Sequence, residues 1–347
     1  MTLKGVSMSR ITRRDVIAGL CATVLLPDLA IAQSKPNPRR IDVHHHTVPP
    51  FLLERTRAAL LASSPYANDV IAWTPEASIA QMDRWGIATA ILSNPTQWSS
   101  FKDEAAGLCR RTNEYSAQLR DAHKGRFGFF GAVPLPDTDA ALEEAAYALD
   151  TLKADGIGLI TSYGDKYPSD PQFDPLFAEL NRRKTVVFIH PTAPGCCTHV
   201  VPGVPVPTVE FMFDVTRCIT AMLFHGVFTR YPDIRFIFTH DGAALPMLAD
   251  RITRNATVVK GAGFASQAEA MAVLKRLHYD ITTSTSPPAL TALKAFLPVS
   301  QMLFGTDFPF LKPGDTVPGF ARFPLSAAER RAVDRGNAEK LFPRLRA

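Results

Sequence analysis

Short apolar runs, each closed by a turn or a proline, alternate along most of the chain with longer amphipathic stretches. The runs predict strands over residues 41–46, 88–93, 127–135, 156–162, 185–190, 235–240, 278–283 and 301–306. Between them the 3.6-residue period predicts helices, notably over 75–85, 103–123, 140–154, 174–183, 209–230 and 244–253. In the longest of these, Phe211, Val215, Ile219 and Met222 form the apolar stripe, and Tyr231-Pro232 ends the helix because proline cannot continue it. Strand and helix in regular alternation is the pattern of βα units on a parallel sheet. Eight such units without a second apolar core predict a single-domain α/β fold, the (β/α)8 TIM barrel, over residues 33–347. Two segments are extra to a minimal barrel, 51–74 after the first strand and 191–207 after the fifth. Both follow a strand's C-terminal end, so both are expected to wall the mouth where barrel enzymes do chemistry, the proline-rich one stiffly.

The first 32 residues read as a targeting segment rather than as part of the fold. Arg10, Arg13 and Arg14 make a basic start, residues 16–26 an apolar run, and Ala30-Ile31-Ala32 a small-x-small cleavage site. The adjacent arginines point to a twin-arginine (Tat) signal and to the periplasm. A membrane anchor fits less well, because a span needs about 20 apolar residues. The expectation is no membrane association after cleavage. With 46% hydrophobic and 20% charged residues the rest is a globular chain with a sizeable core. A formal charge of +5 with scattered basic residues gives no stripe for nucleic acid. Cys21 leaves with the signal. Cys109, Cys196, Cys197 and Cys218 have no scaffold spacing and are expected to be free, mostly buried thiols. Cys196-Cys197 with His199 makes a weak candidate for a soft metal, since adjacent cysteines seldom chelate alone.

The candidate chemistry begins in the first strand, Ile41-Asp42-Val43-His44-His45-His46. Strict alternation sends Asp42, His44 and His46 to one face and Ile41, Val43 and His45 to the other, with the two imidazoles about 7 Å apart along the strand. Two neutral imidazoles so placed make half of a metal site; a polar strand end is the plainer alternative. Partners follow at other strand ends: His190 closes the fifth, His240 the sixth and Asp307 the eighth. A parallel barrel brings these ends to one rim, where three imidazoles and a carboxylate around one ion leave a position for water or substrate.

The motifs Ile-Asp-x-His-x-His, Phe-Ile-His-Pro, Thr-His-x-Gly-x-x-x-Pro and Gly-Thr-Asp-Phe-Pro-Phe occur in this order across nearly the whole mature chain. In this they resemble the decarboxylase branch of the amidohydrolase superfamily, which includes aminocarboxymuconate-semialdehyde and γ-resorcylate decarboxylases. Residues 155–164, with Ala193-Pro194-Gly195-Cys196-Cys197, are similar to the 6-methylsalicylate type in particular. The resemblance implies that His44, His46, His190 and Asp307 hold one divalent ion and that His240 acts beside it as acid/base and hydrogen-bond donor. It further implies that Arg251, eleven residues after His240, reaches the substrate carboxylate of a neighbouring subunit, hence a homodimer; a helix-end ion pair is the plain alternative. Asp241 departs from the pattern, where glycine is frequent. The fourth strand ends in Thr161-Ser162-Tyr163, with Lys166 beyond the turn, so the bridging lysine of two-metal relatives is missing.

The function expected is metal-dependent, non-oxidative decarboxylation of a small aromatic acid, a 2-hydroxybenzoate such as 6-methylsalicylate. Asp307 or a metal-bound water would deliver the proton. Three nitrogens and one oxygen suit zinc, and resemblance adds manganese. The alternatives are a mononuclear metallohydrolase acting on a lactone, ester or amide, and a periplasmic aromatic-acid binder that has lost turnover. Trp98, Phe213, Phe308 and Phe310 could floor an aromatic pocket, although the packed core is the plainer place for each, while His123, His225 and His278 are expected to be structural.

Overall fold

The computed structural model describes residues 39–197, 201–259, 261–283 and 285–346. The expected signal, residues 1–32, and His199 lie outside them. Eight parallel strands follow chain order: β1 (Arg40–His46), β2 (Ile87–Ser93), β3 (Phe127–Ala132), β4 (Gly156–Ile160), β5 (Val186–His190), β6 (Arg235–Phe238), β7 (His278–Asp280) and β8 (Met302–Leu303). The ring is drawn closed by single backbone hydrogen bonds rather than by a ladder. Val43 N donates to Phe304 O at 3.0 Å, Asp307 N to His44 O at 2.7 Å, and His46 N to Phe308 O at 2.7 Å.

The last three strands are shorter than their apolar runs. After Phe238, Asp280 and Leu303 the chain turns along the rim, and His240 (φ 54°), Asp241 (φ 60°), Thr283 (φ 63°) and Asp307 (φ 64°) take left-handed backbone. His240 and Asp307 therefore stand in loops just past their strands rather than at strand ends.

The helices fall on the expected outer ring, with local signals at their ends. Pro75–Trp85 is capped by the Thr74 hydroxyl, which accepts from Ala77 N, and stops at left-handed Gly86. The stretch 209–230 is two helices, Val206–Phe224 and Val227–Arg230, broken at Gly226 (φ 67°) before the proline is reached. Val215, Ile219 and Met222 are fully buried in it, but Phe211 is only partly buried. Helices Gln267–Arg276, Pro287–Phe296 and Pro313–Arg322 complete the ring. Residues 51–74 fold largely into helices Pro50–Ser63 and Ala67–Ile71.

One core cluster lies between strands and helices. A second combines Ile41, Val43, Ile91, Phe130, Val186, Phe188, Ile237 and Leu303 with Ala338, Leu341, Phe342 and Leu345. It fills the barrel from the strand starts, where the C-terminal segment plugs it, and leaves the opposite end to polar side chains. No helix among the described residues is long and apolar enough to cross a membrane.

Candidate metal centre

Register in β1 decides where the histidines point. The pairing with β2 slips between Asp42 and His45, the extra residue of a bulge. Strict alternation therefore fails, and Ile41 and Val43 share the barrel interior with His44 and His46 instead of opposing them. Asp42 ties the bulge down. Its Oδ1 accepts from His44 N (3.1 Å) and Thr306 N (3.0 Å), and its Oδ2 accepts from Thr306 Oγ1 (2.6 Å) and lies 3.1 Å from His45 Nδ1. His45 faces away from the axis, with Nε2 3.0 Å from Ser78 Oγ, so the middle histidine of the run is structural.

His44, His46, His190 and Asp307 converge: each offers one ligating atom, and these atoms all lie within 4.8 Å of one another. Donors about 2.1 Å from a shared ion sit roughly 3 to 4 Å apart, so the cluster is close to that spacing. Around Asp307 Oδ1 stand the Nε2 atoms of His46 (2.7 Å), His44 (3.3 Å) and His190 (3.9 Å). Those of His44 and His190 are buried without hydrogen-bond partners. Leaving buried nitrogens unpaired is costly, and lone pairs aimed at one point fit a cation.

The opposite ring nitrogens are held. His44 Nδ1 lies 3.0 Å from Asp280 Oδ2, His46 Nδ1 lies 3.0 Å from Ser93 Oγ, and His190 Nδ1 donates to Pro191 O at 2.8 Å. Such partners fix the tautomer that offers Nε2 as ligand. Asp280 was not legible as a site residue, although a carboxylate ending the apolar β7 run was its signal. It also accepts from His240 N (3.1 Å) and Thr282 N (3.0 Å).

Burial pushes His46, His190 and His240 down to about 4, so they are neutral at neutral pH. Burial opposes charge on His44 too, but Asp280 and Asp307 outweigh it and carry its pKa up to about 10. Asp307 itself is held well below the usual carboxylate range: burial resists its charge, and the surrounding imidazoles, His44 foremost, override that. Two carboxylates thus demand positive charge at this point, and a proton on His44 supplies it where a divalent ion would.

His240 lies beside the cluster, its ring centroid 5.1 Å from that of His44 and 6.1 Å from that of His190, with Nδ1 3.2 Å from Thr283 Oγ1. The structure does not bring Arg251 there. It is exposed on helix Leu245–Ala256, in a shallow hollow with Phe213 and Leu248. Lys166 bonds to Gln172 and is likewise away from the cluster. Of the four candidate aromatics, Phe310 lines the cavity above the site. Phe308 packs on His45, Trp98 is buried in a separate cluster, and Phe213 is exposed. Phe211, expected in the core stripe, turns to the cavity instead, with its ring 6.4 Å from that of His190. Cys109, Cys196, Cys197 and Cys218 are all free thiols, as expected, but only Cys109 and Cys218 are buried; Cys197 is half-buried and Cys196 is exposed on the loop after β5, so burial is less general than expected. His225 bonds Ser169, in keeping with a structural role.

An eight-stranded barrel with a buried His-His-His-Asp cluster at its open end defines a mononuclear metalloenzyme class. The amidohydrolase family profile matches residues 41–344, and the chain belongs to that family. It is 35% identical over 318 residues to the 6-methylsalicylic acid decarboxylase of Penicillium expansum, covering 88% of this chain and 97% of that protein. It is 28% identical over 278 residues to a γ-resorcylate decarboxylase of a Rhizobium species, covering 75% and 84%. The fold matches the crystal structure of a Polaromonas dihydroxybenzoic acid decarboxylase with bound manganese at a TM-score of 0.76 and 21% identity, covering 89% and 98%.

Proposed function

We infer that the chain is a metal-dependent carboxy-lyase that removes the carboxyl group of a small aromatic acid without an oxidant. The observation that carries this reading is the convergence of His44, His46, His190 and Asp307 within 4.8 Å in a chain so similar to a 6-methylsalicylic acid decarboxylase. The substrate proposed is a 2-hydroxybenzoate such as 6-methylsalicylate. The three-nitrogen, one-oxygen set suits zinc, and the manganese-bound Polaromonas structure supports manganese as the alternative.

These four side chains would be the ligands. When bound, a divalent ion supplies Lewis acidity and a template for the carboxylate and phenolic oxygens. Asp307, ionised beforehand, has no proton of its own to give. The proton that reaches the ring carbon comes from the substrate's phenolic hydroxyl, carried by Asp307 or by water. The carbon–carbon bond then breaks, its electron pair is captured by that proton at the ring, and carbon dioxide leaves. His240, neutral and held by Thr283 and Asp280, donates to or relays from the reacting oxygens.

That same neutral His240 favours the second reading, a mononuclear metallohydrolase in which it activates water. Incubating purified metal-loaded protein with 6-methylsalicylate decides between them. Carbon dioxide and 3-methylphenol in equal amounts support the lyase. Opening of a lactone or ester with every hydroxybenzoate left intact supports the hydrolase.

Further parts of this reading are export to the periplasm by a twin-arginine signal in residues 1–32 and pairing with a second copy. Phe213 (44% exposed) and Met247 (77%) leave apolar surface near Arg251, which supports a dimer face there. Sedimentation as a dimer, with Arg251→Ala raising KM more than it lowers kcat, would support the role of Arg251 at a neighbour's substrate. A monomer with unchanged R251A kinetics would remove it.

A further inference from the structure

Resting on the decarboxylase reading, we propose that the acid taken by this site carries an apolar chain of several carbons on its ring, seated in the cavity beside the metal centre. The cavity measures about 1290 Å³, whereas roughly 150 Å³ suffices for benzene. A one-ring acid held at His190, His240 and Asp307 therefore leaves most of the space unfilled.

The lining says what fills the remainder. The large apolar side chains of the wall are Leu60, Leu61, Tyr66, Val204, Phe211 and Leu311, with serine and threonine hydroxyls between them. Among the described residues no lysine or arginine lines it, and Asp315 is the one further charge. Among the described residues of this chain, a second carboxylate, a phosphate or a nucleotide has no cation to meet there. Leu61 (52% exposed), Tyr66 (38%) and Val204 (39%) are among the few large apolar side chains that stay in contact with solvent. Residues of this kind gathered on one concave wall mark a ligand-binding surface. Most of the wall comes from the two stretches that a minimal barrel lacks, residues 60–66 of the insert after β1 and residues 191–193 and 203–207 after β5. The reacting end is built by the barrel itself and the apolar end by its additions, which makes the latter the part that sets substrate size.

The test uses metal-loaded, full-length protein and 2-hydroxybenzoates carrying methyl, butyl or hexyl at the ring position of the methyl in 6-methylsalicylate, with a second series at the position opposite the carboxylate. Each buried methylene contributes up to about fourfold in affinity. From methyl to hexyl in at least one series, kcat/KM should rise tenfold or more, chiefly through KM. Leu60→Ser combined with Val204→Ser should flatten the hexyl-to-methyl ratio. Binding of the same acids is measured by calorimetry in parallel. Turnover of the methyl acid with no gain from longer chains in either series overturns this proposal and leaves the lyase reading standing. Affinity that climbs with chain length, with no acid decarboxylated, keeps the apolar subsite and overturns the lyase reading. Neither binding nor turnover overturns both.

Discussion

The Asp280 carboxylate lies 3.0 Å from Nδ1 of the His44 ring, and its other oxygen accepts the backbone N–H of His240 at 3.1 Å. One buried acid thus orients a metal-site imidazole and the neighbouring histidine proposed for proton transfer. Asp280→Asn keeps the shape but removes the charge and one of the two acceptor oxygens, so His44 Nδ1 and the backbone N–H groups of His240 and Thr282 can no longer all be served. Loss of such a partner costs about ten- to a hundredfold in metal affinity. Competition with a chelator of known affinity measures this, and an unchanged affinity would assign Asp280 to packing alone.

Gly305 permits the close approach that brings β8 to β1 and β7. A Cβ there would stand 2.5 Å from Thr282 Oγ1, 2.8 Å from His44 Cβ and 3.2 Å from Asp280 Cβ. Gly305→Ala should therefore destabilise the fold by about 1–3 kcal/mol, the usual range for overpacking. It should also weaken metal retention, because His44 is among the atoms displaced. Urea unfolding and metal analysis of the same variant test both effects.

His240 is close to the cluster but is not one of the four residues whose ligating atoms converge. His240→Asn should keep metal content at the native level and lower kcat roughly a hundredfold or more, the scale of a lost general acid or base. A variant that loses its metal would make His240 a ligand instead.

Stability against pH should differ between stripped and metal-loaded protein. In the stripped protein His44 titrates at about 10 against an ordinary 6.5, so its contribution is fully present below about 6.5 and is lost as pH rises towards 10. His46, His190 and His240 titrate at about 4, so between 6.5 and 4 the unfolded chain takes up protons that the folded chain refuses, and stability falls as pH falls. Stripped protein should be most stable near pH 6.5 and weaken on both sides. The loaded protein should lose the alkaline decline, because the ion replaces the proton on His44. Melting temperatures across this range with and without metal check it; identical alkaline limbs would argue against an ion at His44.

The barrel was legible because each apolar run and each amphipathic stretch is local. The convergence of His44, His46, His190 and Asp307 was legible through topology, since parallel strands must bring their ends to one rim. What escaped was register and direction. The slip after Asp42 reverses the face of Ile41 and Val43, and it depends on pairing with β2 and on Thr306, 264 positions away in sequence. The rim turns at His240, Thr283 and Asp307 need left-handed backbone, which is uncommon for any residue but glycine and most of all for a β-branched one such as Thr283, so propensity gave little sign of them. Phe211 fits the apolar stripe by spacing, yet its place at the helix start puts it over the mouth. Asp280 was passed over because its meaning lies in a hydrogen bond to a strand far away in sequence.

On the proposed function, one divalent ion held by His44, His46, His190 and Asp307 is required to split an aromatic acid. Adding zinc or manganese stepwise to chelator-stripped protein, while following carbon dioxide release from 6-methylsalicylate, tests it most directly. Release should start from nothing and saturate at one equivalent of metal per chain. Release from fully stripped protein, or saturation only at two equivalents, would contradict it.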